Sequence, residues 1–303
     1  HTRCCKVTGV QTCASDLMEI KMGAKIITIA IEKGGSGKTV TASNLAYLMG
    51  DEGKKVLCVD TDPQGNLTFA LSGGNSITSG IYHGKALYDL FDGFRYTHTR
   101  DYIVETEYEN VDMIPASSQT PRINKRLQDL YEDAQQFEDE DPKKLSSMGD
   151  FLLYFLNQVR DDYDYIIIDT QPTRDSQILS NAIAAADYVL IPMQCDAFSE
   201  DSAFRTYSIC SKLRKDPASR LKGIGVVLTM VDKGAATRET REECKSELGS
   251  ALFEAEIPMA LAVKSSVRKC VPVCYSARTQ PVGRSYAALY KELKERLDKL
   301  EEN

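Results

Sequence analysis

The sequence predicts an α/β fold with a doubly wound, mostly parallel sheet between two layers of helices. Short apolar runs of strand length alternate along the chain with longer segments of helical periodicity, the pattern of parallel strands joined by crossover helices. Hydrophobic residues make up 42% and charged residues 27% of the 303 residues, which is ordinary for a globular protein. No segment approaches the ~20 consecutive apolar residues of a membrane span. The chain length and the alternating strands and helices predict one three-layer α/β/α domain.

The individual elements follow from these patterns. Strands are predicted at residues 26–31, 55–60, 111–115, 165–169, 187–192 and 223–229. Helices are predicted at residues 41–49, 86–91, 120–131, 146–161, 199–215 and 236–249. A last helix carries an apolar stripe typical of core packing, made of Tyr286, Leu289, Tyr290, Leu293, Leu297 and Leu300. Residues 72–110 have a looser pattern, rich in Gly, Tyr and Thr.

A glycine-rich turn directly follows the first strand and opens the first helix. It reads Glu32-Lys33-Gly34-Gly35-Ser36-Gly37-Lys38-Thr39, with the Gly-Lys-Thr of a phosphate-binding loop and an additional lysine before the Gly-Gly pair. In a strand–turn–helix unit, backbone N–H groups and the helix N-terminus point at one spot, which suits a polyphosphate. Lys38 is expected to reach the β- and γ-phosphates, and the Thr39 hydroxyl to bind Mg²⁺. The loop therefore predicts a P-loop nucleoside triphosphatase.

Three carboxylates are placed at the ends of two other predicted strands. Asp60 ends the strand at 55–60, Asp62 follows two residues later, and Asp169 ends the strand at 165–169. The carboxyl ends of parallel strands lie beside the phosphate site. One carboxylate is expected to orient the Mg²⁺ shell and another to position or deprotonate the attacking water. A turn or a helix cap explains any one of them alone, but their order along the chain favours a nucleotide site.

The chain is acidic overall, but its cations are unevenly distributed. A formal net charge of −7 argues against constitutive nucleic-acid binding by bulk charge. Basic residues collect in the second half: Lys212, Arg214, Lys215, Arg220, Lys222, Arg238, Arg241, Lys264, Arg268, Lys269, Arg278 and Arg284. A dimer would double such a surface, and affinity for duplex DNA rises steeply with the number of phosphates neutralised. A local DNA-binding face and scattered solvated charges both remain open from these residues alone.

Residues 1–17 have no place in the predicted fold. They resemble a translated adapter sequence, so we interpret them as a non-native leader, expect them to be disordered, and place initiation at Met18 or Met22. They lack the apolar stretch of a signal peptide. Residues 18–303 are then expected to form a single domain with an acidic loop at about 132–145.

The cysteines outside this leader mostly lie in strand or helix patterns. Six of the nine cysteines lie there, and most fit small buried hydrophobes in a reducing compartment. Cys270 and Cys274 have a spacing that metal ligands use, but no second Cys/His pair lies near them in sequence.

Several segments together resemble the ParA/MinD class of P-loop ATPases, and most closely its ParA/Soj partition proteins. They are residues 33–39 (a deviant Walker A loop), 60–66, 169–172, 190–195, 227–232, 257–258 and 272–273, and the resemblance covers about residues 24–300. It implies ATP and Mg²⁺ as cofactors and an ATP-dependent homodimer whose subunits close face to face. It also implies that Lys33 reaches the partner's phosphates and that Asp62 positions the hydrolytic water.

The resemblance assigns the remaining site residues. Catalytic residues are Lys33, Lys38 and Asp62, and the metal site is formed by Thr39, by Asp60 as support, and by Asp169 through water. Nucleotide-binding residues are Lys33, Gly34, Gly35, Ser36, Gly37, Lys38, Thr39 and Val40, with Met230 and Pro258 beside adenine. Glu32 and Val40 depart from the family's usual Gln and frequent Thr.

Two further departures concern regions that contact partners. Residues 170–174 read Thr-Gln-Pro-Thr-Arg, and Arg174 is either a contact to phosphate, DNA or a partner, or a solvated loop residue. A family arginine thought to contact DNA aligns on Ala262. The candidate DNA contacts here are Arg238, Lys264, Arg268 and Lys269.

The resemblance implies a DNA-partition ATPase. Its ATP dimer would bind double-stranded DNA non-specifically and be released when a ParB-like centromere-binding protein stimulates hydrolysis, in the cytoplasm and on the nucleoid. No membrane contact is expected, because the last helix ends among acids that anionic lipid would repel, Asp298, Glu301 and Glu302. Two alternatives remain: a MinD-like or orphan ParA-like ATPase that positions a non-DNA cargo, and an iron–sulfur electron donor of the nitrogenase-reductase type.

Overall fold

The computed structural model describes residues 23–94, 97–136, 147–173 and 176–301. The strands in these ranges are β1 Lys25–Ile29, β2 Val56–Asp60, β3 Val104–Glu105, β4 Val111–Ile114, β5 Tyr165–Asp169, β6 Tyr188–Gln194 and β7 Gly223–Thr229. They form one sheet in the order β3-β4-β2-β5-β1-β6-β7. All neighbouring pairs are parallel except β3 and β4. The predicted α/β fold with a mostly parallel sheet is therefore confirmed.

Helices cover both faces of this sheet. They are α1 Lys38–Asp51, α2 Asn66–Leu71, α3 Leu87–Asp92, α4 Ile123–Gln136, α5 Phe151–Asn157, α6 Gln177–Ala185, α7 Ala197–Arg214, α8 Ala235–Leu248, α9 Leu261–Arg268, α10 Val273–Ala277 and α11 Pro281–Lys299. None of the described helices is long and apolar enough to cross a membrane.

The core forms between these helices and the sheet. On one face, Leu45 and Met49 of α1 pack with Tyr286 and Leu293 of α11. On the other face, an aromatic cluster that includes Phe91, Phe151 and Phe155 packs under α3 and α5. Each fully buried large side chain contributes roughly 1.5–3 kcal/mol relative to an exposed one. The predicted stripe of α11 is buried from Tyr286 to Leu297, whereas Leu300 is half-buried.

Strand register determines where the polar side chains gather. Asp169 of β5 is level with Asp60 of β2 on one side and with Ile29 of β1 on the other. The loop that follows β1 and the carboxylates that end β2 and β5 are therefore at the same edge of the sheet. We call it the carboxyl edge, and the opposite edge, where the strands begin, the amino edge.

Several predicted boundaries were wrong. The helix expected at 146–161 covers only Phe151–Asn157, because the chain turns before it and Arg160–Asp162 forms a separate 3₁₀ turn. The antiparallel edge strand β3 was missed, since two half-exposed residues carry no periodicity. The leader, Arg174 and most of the acidic loop at 132–145 lie outside the described residues.

Candidate nucleotide-binding site

The glycine-rich turn folds as a tight loop between β1 and α1. Gly35 and Gly37 have φ values of 77° and 91°, a left-handed region that a Cβ disfavours. The carbonyl of Gly37 accepts a hydrogen bond from the Thr41 N–H at 2.8 Å. Thr229 Oγ1, at the end of β7, donates to the carbonyl of Ser36 at 2.9 Å. The loop is thus fastened both to its own helix and to a distant strand.

Lys38 lies folded over this loop. Its Nζ donates to the carbonyls of Lys33 at 2.8 Å and Ile31 at 3.2 Å, and the residue is only 7% exposed. Burial lowers the pKa of Lys38, while the nearby charges of Asp169 and Asp62 oppose that shift. The Lys38 ammonium has only neutral carbonyl partners, and it lies over a loop whose N–H groups suit an anion. It is therefore placed to neutralise a phosphate oxygen.

Thr39 and Asp169 form the second polar contact of the site. Thr39 Oγ1 donates to Asp169 Oδ2 at 2.7 Å, whereas the fully buried Oδ1 has no hydrogen-bond partner among the described residues. Burial raises the pKa of Asp169 to about 8, and the charge of Asp60 adds to the shift. A buried carboxylate oxygen without a donor requires an explanation.

These groups fit Mg²⁺. A hydroxyl and a carboxylate supply the hard oxygen ligands that this ion takes, and Mg²⁺ commonly uses one or two protein groups, several waters and phosphate oxygens. Within the described residues, no group of three or more His, Cys, Asp and Glu is arranged so that it could hold a metal ion by itself. A metal bound by protein ligands alone would need such a group.

Asp60 and Asp62 are positioned by the loop between β2 and α2. Asp60 Oδ2 accepts hydrogen bonds at 2.8 Å from both the N–H and the hydroxyl of Thr68. Burial raises its pKa to about 6, although these bonds favour the charged form. Asp62 Oδ1 accepts from the Gln64 N–H at 2.9 Å, and its Oδ2 makes no hydrogen bond within the described residues. Asp60 thus anchors the loop, and Asp62 retains a free oxygen.

Lys33 is bound within its own chain. Its Nζ contacts both carboxylate oxygens of Asp196, at 2.6 and 2.7 Å. Asp196 is the N-cap of α7 and also accepts from the N–H groups of Phe198 and Ser199. Burial tends to raise the pKa of Asp196, but the bonds from Lys33 and Ser199 outweigh it and leave the pKa lowered. Lys33 must leave Asp196 before it can reach any other subunit.

The residues expected beside adenine lie close to this loop. Met230 directly follows Thr229 and has a φ of 54°, which is uncommon for a residue with a Cβ. Val231 and Pro258 pair through a parallel bridge, so Met230 and Pro258 flank the same strand end. Gly34 has room beside Pro172, where an added Cβ would be 3.9 Å away. Val40 is half-buried in the first turn of α1.

The candidate DNA contacts lie on the surface. Arg238 of α8, Lys264 and Arg268 of α9, and the following Lys269 are all exposed. None of the four forms an ion pair with another described residue. Lys264 and Arg268 are four residues apart, so they point from the same side of α9.

Sequence reasoning missed three residues that hold the site together. Thr68 binds Asp60, Thr229 binds the loop, and Asp196 binds Lys33. Asp196 had a recognisable signal, because an Asp before a helical segment is a typical N-cap. The pairing of these residues depends on strand order, which a single sequence does not contain.

Comparison with known proteins agrees with this fold. A family model described as an AAA domain matches residues 24–222. The matched range includes the phosphate loop, so this part of the chain is a P-loop nucleotide-binding domain. Among curated relatives, the chromosome partitioning protein ParA of Caulobacter vibrioides is 29% identical over 253 residues, which are 80% of this chain and 83% of the relative. The sporulation initiation inhibitor protein Soj of Bacillus subtilis is 31% identical over 245 residues, 77% of this chain and 84% of Soj. The chain therefore belongs to the ParA/MinD family of P-loop ATPases.

Solved structures show the same fold. An ATP complex of a McdA variant from Cyanothece superposes with a TM-score of 0.73 at 24% identity and covers 91% of this chain and 97% of that one. The cell division ATPase MinD of Pyrococcus furiosus has a TM-score of 0.68 at 22% identity, with coverages of 90% and 99%.

Proposed function

We propose that this chain is an ATP-dependent DNA-partition ATPase, acting as one ATPase domain at residues 18–303. The observation that carries the proposal is the contact between Thr39 and Asp169, beneath a loop that Lys38 covers. These are the groups that a Mg²⁺–ATP complex requires at its β- and γ-phosphates. The complex of the McdA variant with ATP supports the same choice of nucleotide.

Each residue has a distinct task in this proposal. The N–H groups of Gly34 to Thr39 bind the phosphates, and Lys38 neutralises an oxygen between the β- and γ-phosphates. Thr39 and Asp169 hold Mg²⁺, and Asp60 keeps the adjoining loop in place. When bound, the ion neutralises charge that develops on the phosphate oxygens. Asp62 positions the attacking water with its free oxygen, and Met230 and Pro258 flank the adenine ring.

Dimerisation follows from the position of Lys33. The lysine lies at the carboxyl edge, with Asp196 as its present partner. In the proposal, ATP closes two subunits face to face, and each Lys33 exchanges Asp196 for a phosphate of the partner. An ammonium gains more from a polyphosphate than from one half-exposed carboxylate, because the phosphates carry more charge.

The dimer then binds duplex DNA without sequence preference. Arg238, Lys264, Arg268 and Lys269 are exposed and unpaired among the described residues, and two subunits double their number. Hydrolysis, stimulated by a ParB-like centromere-binding protein, separates the subunits and releases the DNA. The similarity to a chromosome partitioning protein, ParA, supports this role. The role would place the chain in the cytoplasm, on the nucleoid.

A second candidate is an ATPase of the same mechanism that positions a cargo other than DNA. The net charge of −7 favours it, and so does the structural likeness to McdA and MinD at the level of the fold. In that case the ATP switch remains and the exposed cations have another role.

The experiment that tests the proposal is binding to a non-specific DNA duplex with Mg²⁺–ATP and with ADP. Asp62→Ala holds the ATP state because it removes the oxygen that positions water. We expect binding that is much stronger with ATP than with ADP and that weakens steeply with salt. ATP-dependent dimers that never bind DNA would favour the second candidate. Unchanged hydrolysis in Asp62→Ala would contradict the role given to Asp62.

A further inference from the structure

Six cations lie together at the amino edge of the sheet, the end opposite the phosphate loop. This amino-edge patch consists of Arg160, Lys212, Arg214, Lys215, Arg220 and Lys222. Backbone bonds locate it: Lys222 N–H donates to the Asp187 carbonyl just before β6 at 2.9 Å, and the Ala24 N–H donates to the Arg160 carbonyl at 2.8 Å. The nucleotide site uses none of these residues.

Two of the six are fixed by one buried carboxylate. Asp187 Oδ2 accepts from Arg160 Nη2 at 2.8 Å, and its Oδ1 accepts from Arg220 Nη2 at 3.0 Å. Asp187 Oδ2 also accepts from the Ile26 N–H at 2.9 Å, so both of its oxygens are engaged. Guanidinium groups held in this way lose little freedom when they bind an anion.

The arginines border a cleft that can receive a ligand. It has a volume of about 420 Å³ and is lined by Gly23, Arg160, Asp161, Asp187, Arg220 and Lys222. Arg220 Nε is shielded from solvent and has no hydrogen-bond partner among the described residues. A donor of this kind requires an acceptor. Three cations line the cleft against two acids, Asp187 and the exposed Asp161, so the lining keeps a net positive charge.

The other four cations of the patch, unlike Arg160 and Arg220, have no acidic partner among the described residues. Lys212, Arg214, Lys215 and Lys222 are exposed, and none of them has an ion pair or side-chain hydrogen bond within the described part of the chain. The nearby acids are mostly engaged. Asp216 accepts from the Ala218 N–H at 2.9 Å, and Asp298 and Glu301 at the end of α11 pair with Lys25 at 3.2 and 3.1 Å.

An excess of positive charge with preorganised guanidinium groups suits a phosphate backbone. Duplex DNA fits better than an anionic lipid surface, because the patch contains no exposed large hydrophobic side chain that could insert into a bilayer. We infer that the amino-edge patch is a second contact surface for the phosphates of double-stranded DNA, separate from Lys264, Arg268 and Lys269. The inference rests on the proposed function.

The position of the patch separates it from the exposed cations Lys264, Arg268 and Lys269. Those lie towards the carboxyl edge, since the N–H of Met259, shortly before α9, donates to the carbonyl of Val231 just past β7 at 3.0 Å. Strands β6 and β7 have seven residues each, so the two edges are roughly 20 Å apart at about 3.3 Å per residue. Subunits that close at the carboxyl edge leave the amino edges free on the outside. The patch is therefore accessible in every nucleotide state, and a dimer carries two copies of it.

The test removes the unpaired lysines and leaves the fold intact. The variant Lys212→Gln/Lys215→Gln/Lys222→Gln is compared with Lys85→Gln/Lys125→Gln/Lys245→Gln, which removes the same charge from exposed lysines elsewhere. Both are made in the Asp62→Ala background. Fluorescence anisotropy of a labelled non-specific duplex is measured across a salt series, with Mg²⁺–ATP and with ADP.

We expect the patch variant to lose up to three contacts with DNA phosphates. The slope of log K against log salt should become shallower by about 2–3, because each neutralised phosphate contributes about 0.9. Weak binding with ADP at low salt should disappear in the same variant. The matched control should keep the slope of its parent in both states.

Three results would overturn the inference. A patch variant with its parent's slope, alongside loss of binding in Lys264→Gln/Arg268→Gln/Lys269→Gln, would contradict the second surface and leave the proposed function intact. A parent that binds no DNA in any nucleotide state would contradict both. Patch-dependent binding to phosphatidylglycerol vesicles without binding to DNA would assign the patch to lipid.

Discussion

Asp196 holds Lys33 by both of its carboxylate oxygens, and at residue scale this pair determines how easily the lysine can move. The two side chains are 27% and 34% exposed, so the pair contributes no more than about 1 kcal/mol. Asp196→Asn removes the charge, while Asn remains a good N-cap for α7. We expect a gain of up to about fivefold for each Lys33 released, and so up to about 25-fold for a dimer with two of them, as measured by sedimentation across an ATP series.

The control for this substitution lies one turn further along α7. Asp201→Asn also removes a carboxylate from an ion pair, the one with Arg205, but it does not contact Lys33. It should leave dimerisation unchanged. A weaker dimer in Asp196→Asn would mean that Asp196 assists assembly instead of holding Lys33 back.

Asp169 presents a different case, because it is buried near a second carboxylate, Asp60. Without Mg²⁺, its Oδ1 has no partner in the described part of the chain. Burial raises its pKa to about 8, above that of an exposed carboxyl group, so burying this group destabilises the fold at neutral pH. Asp169→Asn should therefore raise the melting temperature in EDTA by about 2–4 °C for each kcal/mol relieved. The same variant should lose Mg²⁺-dependent ATP hydrolysis, since a neutral amide is a poor ligand for this ion.

Thermal melts and phosphate-release assays check both parts. Asp129→Asn, at an exposed position of α4, removes the same charge from the surface and should change neither quantity. A lower melting temperature for Asp169→Asn would show that the buried carboxylate stabilises the fold even without an ion.

At the scale of elements, strand β7 is packed so closely that its glycines have no room for a side chain. A Cβ at Gly225 would lie 2.3 Å from Phe253 Cε2 and 2.4 Å from the Tyr188 hydroxyl. Gly225→Ala should therefore cost about 1–3 kcal/mol, as overpacked cores do. Urea unfolding measures the loss as a lower midpoint at unchanged slope.

Gly34 is the contrasting glycine, since it has space and a backbone that other residues accept. Its added Cβ would meet only Pro172, at 3.9 Å, so Gly34→Ala should unfold like the parent protein. ATP binding should nevertheless weaken, because the methyl group is added to the loop that approaches the phosphates. Equal losses of stability in the two variants would contradict this distinction.

The strands and long helices could be predicted from the sequence because their patterns are local. β5 is five consecutive buried residues, and the stripe of α11 repeats at helical spacing over nineteen residues. Five elements were not predicted, and none of them exceeds nine residues, which is too short to show a clear period: β3, α2, α6, α9 and α10. In the site, the phosphate loop could be recognised from its Gly-Lys-Thr motif and the carboxylates from their places at the ends of predicted strands. The contacts of Thr229 with Ser36 and of Lys33 with Asp196 join residues 193 and 163 positions apart, which only the fold brings together.

For the whole molecule, the proposed mechanism gives the two edges of the sheet different tasks. The carboxyl edge holds the phosphate loop, the carboxylates and Lys33, and it is the edge at which two subunits would meet. The amino edge carries unpaired cations that no nucleotide contacts. An acidic chain of this kind can bind DNA only where its cations are concentrated, because a net charge of −7 repels phosphates elsewhere.

Nucleotide binding and dimerisation should affect the melting temperature of the protein in two distinguishable ways. A ligand at a hundred times its Kd stabilises the fold by about 2.7 kcal/mol, or roughly 5–10 °C for a chain of this size. If Mg²⁺–ATP also joins two subunits, the melting temperature must rise with protein concentration, because assembly follows mass action. Lys33→Ala should keep most of the nucleotide shift, since Lys38 and the loop N–H groups remain, but lose the dependence on concentration. A Lys33→Ala protein that still melts at a higher temperature when concentrated would show that the subunits meet without this lysine.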